Sequence, residues 1–324
     1  MKFVSSVTPP TPLRLDSFLA AQTKLSRTFI QSQIAAGRVS VNGSTLTKAS
    51  TKLKPGDTVW GDFEESIAPT LEPVAKGLDI LFEDEELLVL NKPQGVVVHP
   101  AAGHSKATLV HYLLHHLREN ADLPGRDTLR PGIVHRLDIG TSGVMVIAKN
   151  RLALDSLGLQ FKTRTVSKLY QAIVWGTAPN RGTVQGLIGR DRQNRKKMSS
   201  QTDQGRDSLT HWETIQSRHG LSHVLVRPHT GRTHQIRVHL SESRLPVVGD
   251  KLYGGRCTPG RILRLPEPLQ NFLSPILYPF LHAQQLTLVH PLSAKPMTFT
   301  APAPSNFQYL FGFLQAPEQE PEGD

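Results

Sequence analysis

The sequence predicts an α+β protein, a sheet-rich mixed domain with flanking helices preceded by a small N-terminal α/β module. Three observations point there. Strand-type apolar stretches outnumber helical ones and often follow one another directly, which favours α+β over a doubly wound parallel sheet. No Gly-rich phosphate loop precedes a helix, so the sequence offers no site for ATP or a dinucleotide. Charge also shifts along the chain. Residues 1–60 hold Lys2, Arg14, Lys24, Arg27, Arg38, Lys48, Lys52 and Lys54 against only Asp16 and Asp57, and residues 61–76 then turn acidic and carry Pro69 and Pro73. Such a change reads as a linker between two units. The expected organisation is a flexible N-terminus (1–12), a small basic domain (13–62), a linker (63–76), a large domain (77–312) and an acidic, disordered tail (313–324).

Within the small unit, Leu13, Leu15, Phe18 and Leu19 form a short amphipathic stretch. Ser26 stands where an N-cap belongs, ahead of a helix from Arg27 to Ala36 that Gly37 stops. Val39, Val41 and Leu46 flank Asn42-Gly43, a strong hairpin signal, and Pro55-Gly56-Asp57 turns the chain into a strand at Thr58 to Trp60. In the large unit, ILFEDEELLVLNKPQGVVVHP reads as two strands around a turn at Lys92-Pro93-Gln94-Gly95. A helix is expected from Thr108 to Arg118, two strands joined by a polar loop between Ile133 and Lys149, and a strand from Lys168 to Gly176.

The 324 residues suffice for at least one sizeable core, and 38% hydrophobic with 20% charged residues fits a soluble globular protein. A formal charge of +10 points to a partner with a phosphate backbone. An anionic membrane would also attract it, but no apolar run approaches the ~20 residues of a span, and the first residues lack a signal-peptide core. A single cysteine, Cys257, excludes an internal disulfide and a multi-cysteine zinc site, and suits a reducing cytoplasm. Histidines number 14, but His229, His234 and His239 are spaced by five and no HExxH pattern occurs, so hydrogen-bonding or RNA-contact roles fit them better than metal ligation. No metal and no cofactor are expected, and a monomer is the default.

The candidate chemistry centres on His135-Arg136-Leu137-Asp138-Ile139-Gly140-Thr141-Ser142-Gly143. Alone, an Asp in such a loop usually caps the turn. Arg136 lies two positions away, however, and a basic cluster runs from Arg227 through Arg232 to Arg237. A nearby guanidinium would keep the Asp138 carboxylate ionised. Such a group can act as a nucleophile or stabilise positive charge at an anomeric carbon. Read without further context, Tyr170 on an alternating strand is as well placed for core packing, and Arg237 for contacting a phosphate. Arg190, Arg192, Arg195, Lys196 and Lys197 form a dense basic loop, either a solvated surface turn or a phosphate clamp.

Two resemblances sharpen these readings. LSRTFIQSQIAAGRVSVNG followed by LKPGDTV resembles the RNA-binding module of the ribosomal protein S-four type, the αL motif. HRLDIGTSGVMVIAK resembles the signature of the RluA-type pseudouridine synthases, the branch that modifies large-subunit ribosomal RNA and some other RNAs. SKLYQAIVWG, GRDRQNRKKM, TGRTHQIRVHL, VVGDKLYGG and LHAQQLTLVHP resemble further segments of that family, in its order. The resemblance implies an enzyme that isomerises uridine to pseudouridine in RNA and needs no cofactor. It implies Asp138 as the catalytic aspartate, Tyr170 as the tyrosine packing on the target base, Arg237 as the arginine paired with the aspartate, and Arg136 as the residue filling the space left by a flipped uridine. Expected RNA contacts are Arg14, Arg27, Arg38 and Asn42 in the small module, and Arg190, Arg192, Arg195 and Arg232 in the large domain. The expected partner is RNA, above all large-subunit ribosomal RNA or its precursor particle. Alternatives are a synthase acting on transfer RNA, a non-catalytic RNA-binding or ribosome-assembly factor on the same scaffold, and a glycoside or nucleoside hydrolase built around a lone carboxylate.

Overall fold

The computed structural model describes residues 2–8, 13–23, 25, 27–63, 71–100, 106–125, 130–194, 196–202 and 204–315. Two compact units emerge, Met1–Thr70 and Leu71–Asp324. Ser26, Arg195 and residues 316–324, each named above, lie outside the described residues.

Unit one contains β1 (Lys2–Ser6), α1 (Leu15–Thr23), α2 (Arg27–Ala35), β2 (Val39–Val41), β3 (Ser44–Thr45) and β4 (Thr58–Asp62). Its sheet runs β1-β4-β2-β3. Phe18, Leu19, Ile30 and Ile34 from the two helices pack with Val39 and Val59 of the sheet. Asn42 and Gly43 both take positive φ, 51° and 81°, as a two-residue hairpin turn requires. The Asn42 side chain then braces the hairpin, donating to Asp57 (2.8 Å) and accepting from the Thr58 backbone N–H (2.9 Å). One expectation is overturned here. Residues 2–6 are a strand paired from Lys2↔Asp62 to Ser6↔Thr58, not a flexible end.

Unit two contains β5 (Ile80–Glu83), β6 (Leu87–Lys92), α3 (Leu109–His116), β7 (Ser142–Ala148), α4 (Arg151–Thr163), β8 (Ser167–Trp175), β9 (Arg181–Arg190), β10 (Met198–Ser199), β11 (Arg206–Arg218) and β12 (Leu221–Pro228). These are followed by α5 (Gln235–Glu242), α6 (Pro259–Ile262), α7 (Glu267–Leu273), β13 (Leu281–Val289), β14 (Pro296–Thr300) and α8 (Ser305–Gln315). The ten-stranded sheet runs β10-β9-β11-β12-β8-β13-β7-β6-β5, with β14 on β13. Its pairs are antiparallel except β13 with β7, where His282 lies beside Ser142. The fold is α+β, as the sequence predicts.

The middle of this sheet is covered on both faces, so its strands read as unbroken apolar runs. Along β6 and β7, Leu87, Val89, Val144 and Val146 face a core shared with α4. Leu88, Leu90, Met145 and Ile147 face the opposite core, with α3. A third cluster joins β8 and β12 to α5, α7 and α8 through residues such as Ile173, Val224, Leu240, Leu269 and Phe307. No helix among the described residues is long and apolar enough to cross a membrane.

Three local expectations are corrected. The β5–β6 hairpin turns at Asp84, whose carboxylate accepts the backbone N–H of Glu86 and Leu87; the chain also turns at Gln94-Gly95, as expected, but residues 96–100 beyond it form no strand. Between Ile133 and Lys149 there is one strand, and Ile133 makes only an isolated bridge to Ile147. Lastly, α8 runs to Gln315, so residues 313–315 are helical.

Candidate active site

Asp138 sits on the loop that leads into β7, and the loop is fixed through its backbone. The Gly95 N–H donates to the Ile139 carbonyl (2.7 Å), and the Gln94 amide donates to the Gly140 carbonyl (3.0 Å) and to the Pro279 carbonyl (2.9 Å). Thr141 N–H closes a turn onto the Asp138 carbonyl at 3.0 Å. Gly143, at φ 117°, lies so close to β13 that a Cβ there would overlap the Ala283 carbonyl. The turn at Lys92-Pro93-Gln94-Gly95 is thus a brace for the Asp138 loop. Lys92 itself is fully buried and donates to the carbonyls of Pro93 (2.8 Å) and Val96 (3.0 Å).

Arg237 approaches from the first turn of α5. Its Nη1 donates to Asp138 Oδ2 at 3.0 Å, while Nε and Nη2 donate to the two oxygens of Asp250 at 2.6 and 2.9 Å. Asp250 is completely buried, and Asp138 keeps 17% of its side chain exposed. The inner carboxylate therefore neutralises and aligns the guanidinium, and the outer one is presented to the cleft. Asp250 is held in turn by the N–H groups of Leu252 (3.0 Å) and Tyr253 (3.1 Å). The Tyr253 ring stacks on Arg237 at 5.0 Å. Burial disfavours the Arg237 charge, but hydrogen bonds to Asp250 and the fields of Asp250 and Asp138 outweigh it and hold its pKa above the ordinary arginine value.

The loop ahead of α5 is organised by Gln235, which is buried. Its Oε1 accepts from Thr230 Oγ1 (2.6 Å) and the Arg232 N–H (3.0 Å), and its Nε2 donates to the Leu209 carbonyl (3.0 Å) and Thr210 (2.9 Å). His234 adopts a left-handed conformation, φ 57°. Its Nδ1 lies 2.8 Å from the Tyr253 hydroxyl and its Nε2 3.8 Å from Asp138. Burial keeps the His234 pKa below the usual histidine value, so its ring is neutral at physiological pH. Gln235, Asp250 and Tyr253 were not singled out by sequence, although all three stand in the quoted segments TGRTHQIRVHL and VVGDKLYGG.

Tyr170 on β8, half-buried, lines the same cleft of about 730 Å³ as Asp138, Arg136 and Arg237. Burial, then the nearby Asp138 charge, raise its hydroxyl pKa well above the usual tyrosine value. Arg136 is exposed at the cleft. The histidines spaced by five have separate surroundings. His229 is exposed, and His239 is buried between Ser208 and Thr210. Among the described residues no group of His, Cys, Asp or Glu is arranged to hold a metal ion.

Of the other expected RNA contacts in the large domain, Arg232 lines this cleft, and Arg195 lies outside the described residues. Arg190 and Arg192 are exposed at the turn between β9 and β10, outside the lining. In unit one, Arg14 and Arg27 both reach the buried Asp16, at 2.9 and 3.0 Å, while about half of each side chain stays exposed. Gln31 adds a third donor at 2.7 Å. Arg27 and Gln31 thus tie α2 to Asp16 of α1, Arg14 binds the same carboxylate locally, and both arginines offer charge to solvent. Arg38 is half-buried beside β2.

The buried Lys92 makes one measurable prediction. Burial, partly countered by the Asp138 charge, lowers its pKa to about 8. Between that value and about 10.5, where an unfolded lysine titrates, the unfolded chain binds more protons, so stability rises with pH across this window. Chemical denaturation should show this rise in the wild type and a flatter profile in Lys92→Met; identical slopes would reject the assignment.

Comparison with known proteins shows what the chain is similar to. The family model described as RNA pseudouridylate synthase matches residues 86–242, and the S4 domain model matches residues 13–59. An uncharacterised RNA pseudouridine synthase of Chlorobaculum parvum is 40% identical over 306 residues, covering 93% of both chains. The ribosomal large subunit pseudouridine synthase D of Pseudomonas aeruginosa is 38% identical over 308 residues, 93% of this chain and 92% of that one. Among solved structures, human RNA pseudouridylate synthase domain containing 4 aligns with a TM-score of 0.56 at 26% identity, covering 73% of this chain and 92% of that one.

Proposed function

Because the chain belongs to the RNA pseudouridine synthases, which isomerise uridine to pseudouridine, we propose that it modifies large-subunit ribosomal RNA, with Asp138 as its catalytic carboxylate acting on a flipped-out uridine. The observation that carries the assignment of Asp138 is the three-nitrogen use of Arg237, clamped by buried Asp250 and extended at 3.0 Å to the one carboxylate among the described lining residues of a cationic cleft. The choice of ribosomal RNA follows the Pseudomonas relative and the S4 module.

The reaction breaks the C1′–N1 bond, turns the uracil and joins C1′ to C5. The C5 proton is lost and N1 gains one, so nothing is oxidised and no water enters the product. Asp138 faces the positive charge that develops at C1′ as N1 departs, where a preorganised carboxylate stabilises most. Extruding the base costs a few kcal/mol. Stacking on the Tyr170 ring returns ~1–3 kcal/mol of that, and the exposed Arg136 fills the gap in the RNA helix. The test is mapping of pseudouridines in ribosomal RNA from cells with and without the gene. Sites that vanish from large-subunit RNA support the proposal, and an unchanged large-subunit map with altered transfer RNA would reject its substrate.

Unit one is the second grip. Protein beginning at Leu71 is expected to bind RNA more weakly and with a shallower dependence on salt, since phosphate contacts set that slope. Filter binding over a range of KCl measures it, and an unaltered slope would show that unit one holds no phosphate.

A further inference from the structure

The chemistry above uses Asp138, Tyr170, Arg136 and Arg237, yet the same cleft gathers more positive charge than those roles need. Arg164, Lys168, Arg206 and Arg232 also line it. They come from four separate places: the left-handed C-cap of α4, strand β8, the first residue of β11, and the loop between β12 and α5. Among the described residues none of the four forms an ion pair. The lining carboxylate, Asp138, is already engaged by Arg237.

Two of the four are anchored by one backbone bond each, which leaves their other donors unused. Lys168 Nζ donates to the Thr230 carbonyl at 3.2 Å, and Arg232 Nε donates to the Asp207 carbonyl at 3.0 Å. Arg164 and Arg206 are exposed and make no side-chain hydrogen bond among the described residues. The four share one electrostatic field. Burial, then Arg164 and Arg232, lower the Lys168 pKa to about 8. Burial, then Arg164 and Arg206, lower that of Arg232, with Asp207 offsetting part of the effect. Such a cluster repels itself, and an anion placed among its donors relieves that repulsion. Lys168 and Tyr170 are two residues apart on β8, hence on one face and ~7 Å apart along the strand. The cluster therefore borders the ring on which the target base is placed.

We propose that Arg164, Lys168, Arg206 and Arg232 form a phosphate subsite that holds the RNA backbone next to the flipped uridine and so sets which nucleotide enters the cleft. The subsite rests on the RNA-modifying reading above. It is distinct from the basic turn at Arg190 and Arg192, which lies outside the cleft lining. Contacts of this kind position a nucleic acid without reading its sequence.

The test uses full-length Asp138→Asn protein, so that binding is read without turnover, and a fluorescent 20-nucleotide oligouridylate as probe. Adding Arg164→Ala and Arg206→Ala together is expected to make the plot of log Kd against log KCl shallower by about 1 to 1.5, since each phosphate contact on a single strand contributes ~0.7. Arg164→Lys with Arg206→Lys, which keeps both charges, should restore most of the slope. A slope unaffected by the alanine pair, or a loss that the lysine pair does not restore, overturns the subsite while leaving the function intact. An Asp138→Asn parent with no salt-dependent affinity for the probe would instead take down the RNA-modifying reading and the subsite together. In protein with Asp138 intact, the alanine pair should raise KM for a large-subunit ribosomal RNA transcript at least tenfold with kcat within twofold. A fall confined to kcat would contradict a positioning role.

Discussion

Asp138→Asn is expected to abolish pseudouridine formation, with single-turnover rates down by on the order of 10³–10⁴ or more, while RNA affinity stays within a few fold. Asparagine keeps the shape of the side chain and an oxygen that can accept from Arg237 Nη1, now at 3.0 Å from Asp138 Oδ2. What it removes is the negative charge aimed into the cleft, and removal of a positioned charge from a catalytic unit has an effect of this size. The fold should survive, because the buried Arg237 remains neutralised by Asp250 through two bonds that do not involve residue 138. The hydrogen on C5 must leave when that carbon joins the sugar, so release of tritium from RNA labelled at C5 of uridine reports turnover directly. A variant retaining more than about a hundredth of the wild-type rate, roughly 2.7 kcal/mol of barrier, would remove Asp138 from the centre of the mechanism. Gel-shift assays with the same RNA separate a chemical defect from a binding defect.

The sequence displayed both ends of this contact but not what lies between them. Asp138 and Arg237 are 99 positions apart, and the two motifs drew attention for different reasons, one for a carboxylate in a loop and the other for a run of cations. Asp250 was hidden because a carboxylate's value as an inner clamp depends on complete burial, which no local pattern announces. Gln235 was hidden similarly, since its four hydrogen bonds reach back to Thr230, Arg232, Leu209 and Thr210. Arg14 and Arg27 were visible as cations, but the reach of Arg27 to Asp16 depends on α1 and α2 lying side by side.

The misplaced elements fail for physical reasons that can be named. Pro93-Gln94-Gly95 does turn, but the Gly95 N–H and the Gln94 side-chain amide are taken up by the Asp138 loop, and the hairpin turn lies earlier, an Asx-type cap by Asp84. Strand β1 depends on pairing across the whole of unit one, Lys2 with Asp62, so a reading of neighbours along the chain could not find it. Residues 133–137 look strand-like because they too are partly apolar. Their partners are side chains, His135 stacked on Phe161 at 4.6 Å and its ring accepting the Val146 N–H at 3.0 Å, and the chain leaves the sheet to deliver Asp138. In contrast, the hairpin at Asn42-Gly43 and the helix after Thr108 carry their signals within a few residues, and both form where expected.

Asp250→Ala is expected to cost both stability and turnover, which separates it from Asp138→Asn. Arg237 is 8% exposed, and removing its inner partner leaves a buried guanidinium bound only to Asp138. Breaking a buried pair from one side typically costs ~3–5 kcal/mol, and the N–H groups of Leu252 and Tyr253 lose their acceptor as well. Denaturant unfolding should register the loss as a lower midpoint. Asp250→Asn is the sharper variant, because it keeps a polar side chain of the same shape while removing the charge that sets the guanidinium plane. Arg237 can then turn, and Asp138 loses the fixed donor that orients it. Turnover should fall by at least ~10² in Asp250→Asn even where most of the protein remains folded, because misplacement by about 1 Å has effects of that order. Arg237→Lys should behave alike in turnover, since an ammonium cannot serve two carboxylates through a planar fork. If folded Asp250→Asn protein turned over at the wild-type rate, the alignment of Arg237 would not depend on Asp250. The geometry of the pair would then have to be set by the neutral His234 and the Tyr253 ring alone.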